Sequence, residues 1–237
     1  MTMEFPEDIE IDEDIDLSRI FSPNLKLLCL KYKSIFAGTH DNVDDIYFFD
    51  KYKRFFFTCT DSICNIYGDS EHCTIDEIRN TKGDFAFSAP ILRSIYVLKG
   101  YRKKGLQQEL IEDIKRVCGE TGEPVVAIAD PYIINKSRYE NCIYKAWYKF
   151  CVDGYSRPPK ERWLPQAKAQ CKRFKELGFE NFIFPEAEIT IPPQQFIYVP
   201  TTALPATKLA IRTLQTDPSK FSLDLLNDFD INNTTNI

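Results

Sequence analysis

The chain has 237 residues, of which 43% are hydrophobic, 27% charged and 14% aromatic, a balance typical of a globular protein rather than a disordered or fibrous one. Its formal net charge of −5 argues against binding of nucleic acid over the whole surface. No run of about 18 apolar residues predicts a membrane span, and the acidic start lacks the basic and apolar regions of a secretory signal. We therefore expect a cytoplasmic protein without a membrane partner.

The eight cysteines are too dispersed along the chain for a disulfide framework. Cys59, Cys64, His72 and Cys73 form a cluster of metal-ligating residue types, but the cluster lacks the paired C-x2-C spacing of a structural zinc site. We therefore expect reduced structural thiols and no bound metal.

Acidic residues dominate positions 1–22, which predicts a solvated N-terminal tail. Ile9, Ile11, Ile15 and Leu17 alternate weakly with these acids, so an edge strand is an alternative. Residues 23–200 are predicted to form the folded domain, with an insertion at about 131–165. A C-terminal extension of one or two short helices over 203–228, followed by a polar tail, is predicted to complete residues 201–237.

The first half of the folded domain is rich in β-branched and aromatic residues, which are typical of strands. A short helix is predicted where Thr74 and Glu77 fit a capping box. The predicted strands cover residues 25–32, 45–49, 54–60, 84–88 and 91–98.

A strand, a basic turn with two glycines, a helix and a second strand follow one another over residues 91–129. The turn reads KGYRKKG at 99–105, and apolar residues then recur at helical spacing over 106–118. A helix N-terminus offers unpaired N–H groups and partial positive charge, and a glycine before it lets an anion approach closely. Two interpretations fit: a pyrophosphate-binding turn, or a solvated basic turn before an amphipathic helix.

The second half of the chain contains two further predicted helices and two strands. One helix is predicted over 135–150, with Ile143, Ala146, Trp147 and Phe150 on one face. A proline-containing loop at 154–165 separates it from a helix over 166–177, which Gly178 is expected to end. The strands are predicted at 179–184 and 196–199.

The segment IYVLKGYRKKGLQQELIEDI resembles the acyl-CoA-binding segment of GNAT N-acyltransferases, a strand followed by (Arg/Gln)-x-x-Gly-x-(Gly/Ala) and a helix. Arg102 and Gly105 match this pattern, whereas Gln107 stands where the family has a small residue. FKELGFENF resembles the family's later helix, turn and strand, with Gly178 and Phe179 matching. The resemblance spans about residues 85–200 and implies an α/β (α+β) fold: a mixed, mostly antiparallel central sheet with splayed middle strands and helices on both faces.

The resemblance also implies a binding site for an acyl-CoA, with acetyl-CoA as the acyl donor. The pantetheine arm would lie in the opening between the splayed strands, and the pyrophosphate would lie on the turn. The residues implied in this binding are Tyr96, Val97, Arg102, Lys103, Lys104, Gly105, Leu106, Gln107 and Asn135.

An N-acyltransferase must deprotonate its amine, stabilise an oxyanion and protonate the leaving thiolate. The family's usual thiolate acid is a tyrosine four residues before the glycine of the later motif, but that position is Phe174 here, which has no proton to give. Tyr132 and Tyr139 are the candidate acids, with packing or surface positions as their alternative role. Asp130 is the candidate general base, and capping of the segment after Pro131 is its alternative role.

Residues 131–176 carry eleven basic and four acidic side chains, interleaved with seven tyrosines and tryptophans. This segment predicts either a surface for nucleic-acid phosphates and bases or a solvated helical insertion with its own small core. We predict an enzyme that moves an acetyl or other acyl group from acyl-CoA to a primary amine of a small molecule or protein. The alternatives are an amine carried by nucleic acid, such as aminoacyl-tRNA or a modified base, and an inactive GNAT-like binding protein. The acceptor and the oligomeric state are not indicated.

Overall fold

The computed structural model describes residues 9–12, 15–20, 22–39, 45–66, 87–129, 142–152, 160–182, 194–216 and 221–225. The helices are α1 (Pro23–Lys31), α2 (Leu106–Thr121), α3 (Ile143–Val152), α4 (Lys160–Glu176) and α5 (Pro205–Thr216). The strands are β1 (Ile9–Asp12), β2 (Lys33–Thr39), β3 (Asp45–Phe49), β4 (Phe55–Thr60), β5 (Ser62–Ile66), β6 (Phe87–Ser88), β7 (Ile91–Val97), β8 (Val125–Ala129), β9 (Glu180–Phe182), β10 (Gln194–Tyr198) and β11 (Phe221–Leu225).

Eight of the described strands form the main sheet, in the order β1-β2-β3-β4-β7-β8-β10-β9. Neighbouring strands in this order are antiparallel, except that β7 and β8 are parallel. The predicted mixed, mostly antiparallel sheet is confirmed. The edge-strand alternative is confirmed for Ile9–Asp12, which pairs with β2 along the sheet edge, but not for Leu17, which begins a 3-10 turn.

Helices cover both faces of this sheet, as predicted. Phe48 and Phe57 face one side, where they share a core with α1, α2 and α4. Phe49 and Phe56 face the other side and pack against α3, and Val126 packs there against α5. Consecutive phenylalanines serve opposite faces because side chains alternate along a strand, so the aromatic-rich strands β3 and β4 supply both cores.

Residues 25–32 form most of α1 and not the predicted strand. Pro23 occupies the first turn, where its missing N–H costs nothing, and the Ser22 hydroxyl accepts a hydrogen bond from the Leu25 N–H (3.2 Å) as N-cap. Leu25 and Leu28 are buried on one side of the helix. The apolar content of this segment suits a strand as well as a helix, and the Ser22–Pro23 start was the signal that favoured the helix.

The predicted helix after the basic turn is confirmed and runs three residues further than expected, to Thr121. Its buried residues are Leu106, Leu110, Ile111, Ile114, Val117 and Cys118. Gly119 lies inside the helix, and the chain leaves it at Gly122 in a left-handed conformation (φ 78°). One glycine at the first position outside the helix is sufficient to end it.

The C-terminal extension is helical only in part. α5 is a helix, but residues 221–225 form β11, which pairs with β5 in a second described sheet of order β11-β5-β6. Helix was predicted over 203–228, and that prediction is wrong for this strand. Phe221, Leu223 and Leu225 alternate with Ser222 and Asp224, which is the period of a strand.

The insertion also differs from the prediction. α4 begins at Lys160 and contains Pro165, so residues 160–165 are helical and not part of a loop. α3 begins at Ile143, and the face predicted for it is confirmed, because Ile143, Ala146 and Trp147 are buried against the sheet. The helix predicted at 74–79 lies outside the described residues.

Candidate functional site

The parallel strands β7 and β8 pair over only two residues. Ile91 lies opposite Val126 and Leu92 opposite Ala127. Beyond Leu92, β7 continues along β4, whereas β8 continues along β10. The two strands therefore separate towards their carboxyl ends and leave a gap in the sheet, as the resemblance implied.

A β-bulge lies at the point where the strands separate. Thr58 pairs with Ser94 and Cys59 pairs with Leu92, which leaves Arg93 as an extra residue on β7. Because a bulge bends and twists its strand, it explains why β7 leaves β8 at this point. It also resets the alternation of faces, since Leu92 before the bulge and Ile95 after it pack into the same core.

The backbone of β7 beyond the bulge has a defined direction. The Leu98 N–H donates to the Arg54 carbonyl (3.0 Å), and hydrogen-bonded pairs alternate with non-bonded pairs in an antiparallel ladder. The backbone groups of Tyr96 therefore point towards β4. Those of Ile95 and Val97 point towards the gap, so a ligand there meets these two residues.

Arg102 connects the basic turn to the end of β7. Its Nε donates to the Val97 carbonyl (2.9 Å), and its guanidinium lies 5.7 Å from the centre of the Tyr96 ring. The Tyr96 ring in turn stacks on Phe56 at 5.4 Å. Three of the predicted binding residues, Tyr96, Val97 and Arg102, are thus in contact at the mouth of the gap.

The turn itself leaves the start of α2 open. Gly105 precedes the helix in a left-handed conformation (φ 79°), and no described side chain caps it. A Cβ built on Gly105 would meet nothing within 4 Å. Lys103 is also left-handed (φ 62°), which costs a lysine about 1 kcal/mol. The buried Leu106 side chain (5% exposed) anchors the helix below this turn.

Positive charge surrounds the open helix start. Arg102, Lys103 and Lys104 are exposed, and no carboxylate of the described residues forms an ion pair with Lys103 or Lys104. A phosphate or pyrophosphate suits this helix start for three reasons. The N–H groups are free to donate, the space beside Gly105 is empty, and cations lie close by. Gln107, at the position that is small in the family, is half-buried in the first turn of α2.

The later motif ends α4 through its glycine. Gly178 is left-handed (φ 85°), its N–H donates to the Lys175 carbonyl and the Phe179 N–H donates to the Phe174 carbonyl, each at 3.0 Å, which is a Schellman ending. Phe174 is buried and lies 5.3 Å from the Phe179 ring and 5.5 Å from the Phe196 ring. It belongs to the same core as Ala127 and Ala129 of β8, a strand that borders the gap, and its ring offers no proton.

The remaining candidates for chemistry and cofactor contact, Asp130, Tyr132, Asn135 and Tyr139, lie outside the described residues, and their roles stay predictions. Within the insertion, Trp147 is a core residue, with ring centres 5.8 Å from Tyr47 and 5.6 Å from Phe49. α3 therefore packs on the sheet instead of building a core of its own, and Trp147 does not belong to a base-stacking surface.

A buried polar cluster beside the gap strands was not predicted from the sequence. Glu123, which precedes β8, accepts hydrogen bonds from the Ser22 hydroxyl (2.6 Å) and the Asn24 N–H (2.7 Å) at the start of α1. The Asn24 side chain donates to the carbonyls of Glu123 and Pro124, each at 3.2 Å. Ser22 and Glu123 are 101 positions apart, and no local pattern relates them.

A second polar cluster joins α1 to α2. Asp113 accepts from the Tyr32 hydroxyl (2.6 Å), from Lys31 and from Arg116. Burial raises the pKa of the Asp113 carboxyl, but these hydrogen bonds outweigh it and hold the pKa below its usual range. The pKa of Tyr32 is raised, chiefly by burial and then by its hydrogen bond to Asp113.

Two general predictions concern metals and membranes. Cys59 is buried in β4, whereas His72 and Cys73 lie outside the described residues. The described part of the chain holds no group of three or more histidine, cysteine and acidic residues placed to bind a metal ion. None of its helices is long and apolar enough to cross a membrane.

The splayed parallel pair and the glycine turn before α2 are the arrangement that the sequence resemblance to GNAT N-acyltransferases implied. No protein-family model and no curated protein matches the chain.

Three solved structures illustrate what the chain is similar to. AtaT complexed with acetyl-methionyl-tRNAfMet is 11% identical at a TM-score of 0.31, over 81% of this chain and 93% of that one. The KacTA–DNA complex is 11% identical at 0.31, over 88% and 99%. AtaTR bound with AcCoA is 10% identical at 0.29, over 86% and 99%. Similarity at these levels supports no inference about activity, which rests on the site itself.

Proposed function

We propose that this protein is an acyl-CoA-dependent N-acyltransferase that acts on a primary amine. One observation carries the proposal: a parallel strand pair separates after two residue pairs, and the strand bordering the gap leads through the basic turn into an uncapped helix start with adjacent cations. The gap suits an extended amide-containing chain, and the helix start suits a pyrophosphate. Acyl-CoA contains both groups in that order.

The pantetheine arm binds as an additional strand along β7. Its amides pair with the backbone groups of Ile95 and Val97, in the manner of a peptide that extends a sheet edge. The Val97 carbonyl already accepts from Arg102, and a carbonyl has two lone pairs, so both contacts are compatible. The acyl group then lies deeper in the gap, towards the bulge at Arg93.

The pyrophosphate binds at the start of α2. The N–H groups of Leu106 and Gln107 point out of the helix end, and Lys103, Lys104 and Arg102 supply full positive charge. Gly105 lacks a side chain and permits close approach, because the space beside it is empty.

The reaction requires three events at the acyl carbon. The amine nitrogen attacks the thioester carbonyl, the carbon–sulfur bond breaks, and the nitrogen loses a proton while the thiolate gains one. Asp130 is the proposed base, and Tyr132 or Tyr139 the proposed thiolate acid. Asn135 is proposed to contact the cofactor. Phe174 is excluded as the acid because its ring carries no exchangeable proton.

Binding and turnover of acyl-CoA test this proposal directly. Calorimetry with CoA and acetyl-CoA is expected to show one site per chain, and release of the CoA thiol is expected with at least one class of amine. Binding without turnover on any amine would instead favour the inactive GNAT-like binding protein. Absence of binding would contradict the acyl-CoA proposal.

The acceptor is proposed to be an amine of a small molecule or protein, and the amine of a nucleic acid is the alternative. Filter binding with tRNA and single-stranded DNA at two salt concentrations separates them, because phosphate contacts make affinity fall with salt. Reversing the charges of Arg157, Lys160 and Arg162 should weaken nucleic-acid binding and leave acetyl-CoA binding unchanged. No binding at low salt leaves the small-molecule or protein amine.

A further inference from the structure

A second basic segment lies beside the turn that precedes α2. It is the hairpin loop between β3 and β4, residues 50–54, with the sequence Asp-Lys-Tyr-Lys-Arg. The Leu98 N–H donates to the Arg54 carbonyl (3.0 Å), so the hairpin loop adjoins the end of β7 where the basic turn begins. The fold thus brings together two basic segments that are far apart in the sequence.

The hairpin loop is held in place from within. Asp50 is 6% exposed, and both of its oxygens accept from the Arg54 guanidinium, at 2.7 and 3.1 Å. The pKa of Arg54 is raised, chiefly by its hydrogen bonds to Asp50 and also by the charges of Asp50 and Glu109. Since Glu109 belongs to the first turn of α2, Arg54 lies within electrostatic reach of the helix start.

The lysines of the hairpin loop are not neutralised in the same way. Lys51 and Lys53 are exposed, and no carboxylate of the described residues forms an ion pair with either. The buried Asp50 is bound to Arg54. The Lys51 ammonium instead lies over the Tyr52 ring, and the Lys53 ammonium lies 5.5 Å from the centre of the Tyr144 ring of α3. The hairpin loop therefore adds two positive charges that have no described carboxylate partner to those of the basic turn.

An exposed aromatic ring accompanies these charges. Tyr52 is 63% exposed, and its ring centre lies 4.8 Å from the Lys51 ammonium and 4.9 Å from the Arg54 guanidinium. A large ring kept at the surface beside two cations adds little to the core. It offers a face on which a base can stack.

We propose that the hairpin loop binds the 3′-phosphoadenosine end of the acyl donor, with the 3′-phosphate on Lys51 and Lys53 and the adenine against Tyr52. This inference rests on the proposed acyl-CoA binding. Beyond its pyrophosphate, CoA carries one further phosphate dianion and one purine, separated from the pyrophosphate by a single ribose. The hairpin loop supplies a matching pair of cations and one ring beside the pyrophosphate turn. The site would therefore distinguish CoA from dephospho-CoA.

CoA, dephospho-CoA and 4′-phosphopantetheine together separate the contribution of the 3′-phosphate to affinity from that of the adenine. Calorimetry on the full chain should show dephospho-CoA, which lacks the 3′-phosphate, binding about tenfold more weakly than CoA. Replacing both lysines (Lys51→Gln with Lys53→Gln) should abolish this difference by weakening CoA alone. Tyr52→Leu should weaken CoA and dephospho-CoA together, by roughly fivefold. The Tyr52→Leu substitution should not change the affinity for 4′-phosphopantetheine, which has no adenine.

A matched control removes the same charge elsewhere. Lys168 and Lys175 are exposed on α4, and their double replacement by glutamine should leave the affinity for all three ligands unchanged. Equal affinity of the unmodified protein for CoA and dephospho-CoA would overturn the 3′-phosphate site while leaving acyl-CoA binding intact. Failure of all three ligands to bind would contradict the proposed function itself.

Nucleic acid is the competing occupant of a basic surface with exposed rings. Titration of the same variants with oligothymidine at low salt measures their affinity for nucleic acid. The proposal is overturned if the double lysine variant loses oligothymidine binding but keeps its preference for CoA over dephospho-CoA. It is supported if the preference is lost and oligothymidine affinity does not change.

Discussion

The N-termini of α1 and α2 differ in what satisfies their free N–H groups. At α1, the Ser22 side chain caps the helix and the buried Glu123 carboxylate accepts from the Asn24 N–H at 2.7 Å. At α2, the residue before the helix is Gly105, and no described side chain caps it. The first helix start is closed by an anion from the chain itself, whereas the second is exposed and surrounded by cations.

This difference separates a structural use of a helix N-terminus from a binding use. Both ends carry the same partial positive charge. Burial decides the outcome: the start of α1 lies inside the molecule, where an unsatisfied N–H is costly, so the fold must supply the acceptor. The start of α2 is exposed to solvent, where water accepts hydrogen bonds from its N–H groups until an anion replaces the water. Substitutions at these two helix starts test this difference.

The largest effect is expected when the anion of α1 is removed. Glu123→Ala leaves the Ser22 hydroxyl and the Asn24 N–H buried without their acceptor, which should cost about 3 kcal/mol of unfolding free energy. Urea denaturation measures it. Glu120→Ala, at an exposed glutamate of α2, is the control and should stay within about 0.5 kcal/mol of the parent. Equal losses in both variants would show that Glu123 does not hold α1.

The converse experiment supplies an anion to α2. Gly105→Glu places a carboxylate at the open helix start and should weaken acetyl-CoA binding by at least about 100-fold, or about 2.7 kcal/mol. Gly105→Gln has the same size and the same backbone strain without the charge, and it should lose much less affinity. Calorimetry on folded protein decides. Unchanged affinity in the glutamate variant would rule out this helix start as the pyrophosphate site.

A smaller effect is expected from adding a hydroxyl to the core beside the gap. Phe174→Tyr should fold with a loss of about 1 kcal/mol, because the new hydroxyl enters a buried aromatic cluster. If thiolate protonation limits the rate, turnover should rise by about tenfold. Phe179→Tyr adds the same group to a neighbouring buried ring and should give the stability loss without the rate gain. A matching rate gain in both variants would exclude a specific role for position 174.

The smallest effect concerns Asp113, which is partly buried and has three partners. Because its folded pKa lies below the unfolded value of about 3.9, the carboxylate stabilises the protein above that value. This contribution is lost as the pH falls through the folded pKa. Asp113→Asn should therefore cost less than about 1 kcal/mol at pH 7, and this cost should vanish once the pH lies below the folded pKa of Asp113.

Thermal unfolding across this pH range, at low and high salt, measures the effect. Glu112→Gln changes a more exposed carboxylate of the same helix and serves as the control. A cost for Asp113→Asn that does not vary with pH would assign the loss to packing instead of charge.

The basic turn and its helix were predictable because their signals are local. These signals are Gly105, the charges beside it and the 3.6-residue spacing after Leu106. Each one determines the structure of the segment in which it lies. The same holds for the Gly178 ending of α4. The α1 segment is less clear, because its apolar run is compatible with either a helix or a strand. Only the Ser22–Pro23 start favoured the helix.

Contacts between distant segments were decided by the tertiary structure alone. Glu123 reaches α1 because the sheet places the start of β8 beside it, and the hairpin loop adjoins the basic turn because β4 pairs with β7. The bulge at Arg93, which opens the gap, likewise depends on two strands, because β7 has one residue more than β4 at that point. A sequence specifies which groups need a partner through local chemistry, but the partner's identity depends on strand order and register, which the whole core sets together.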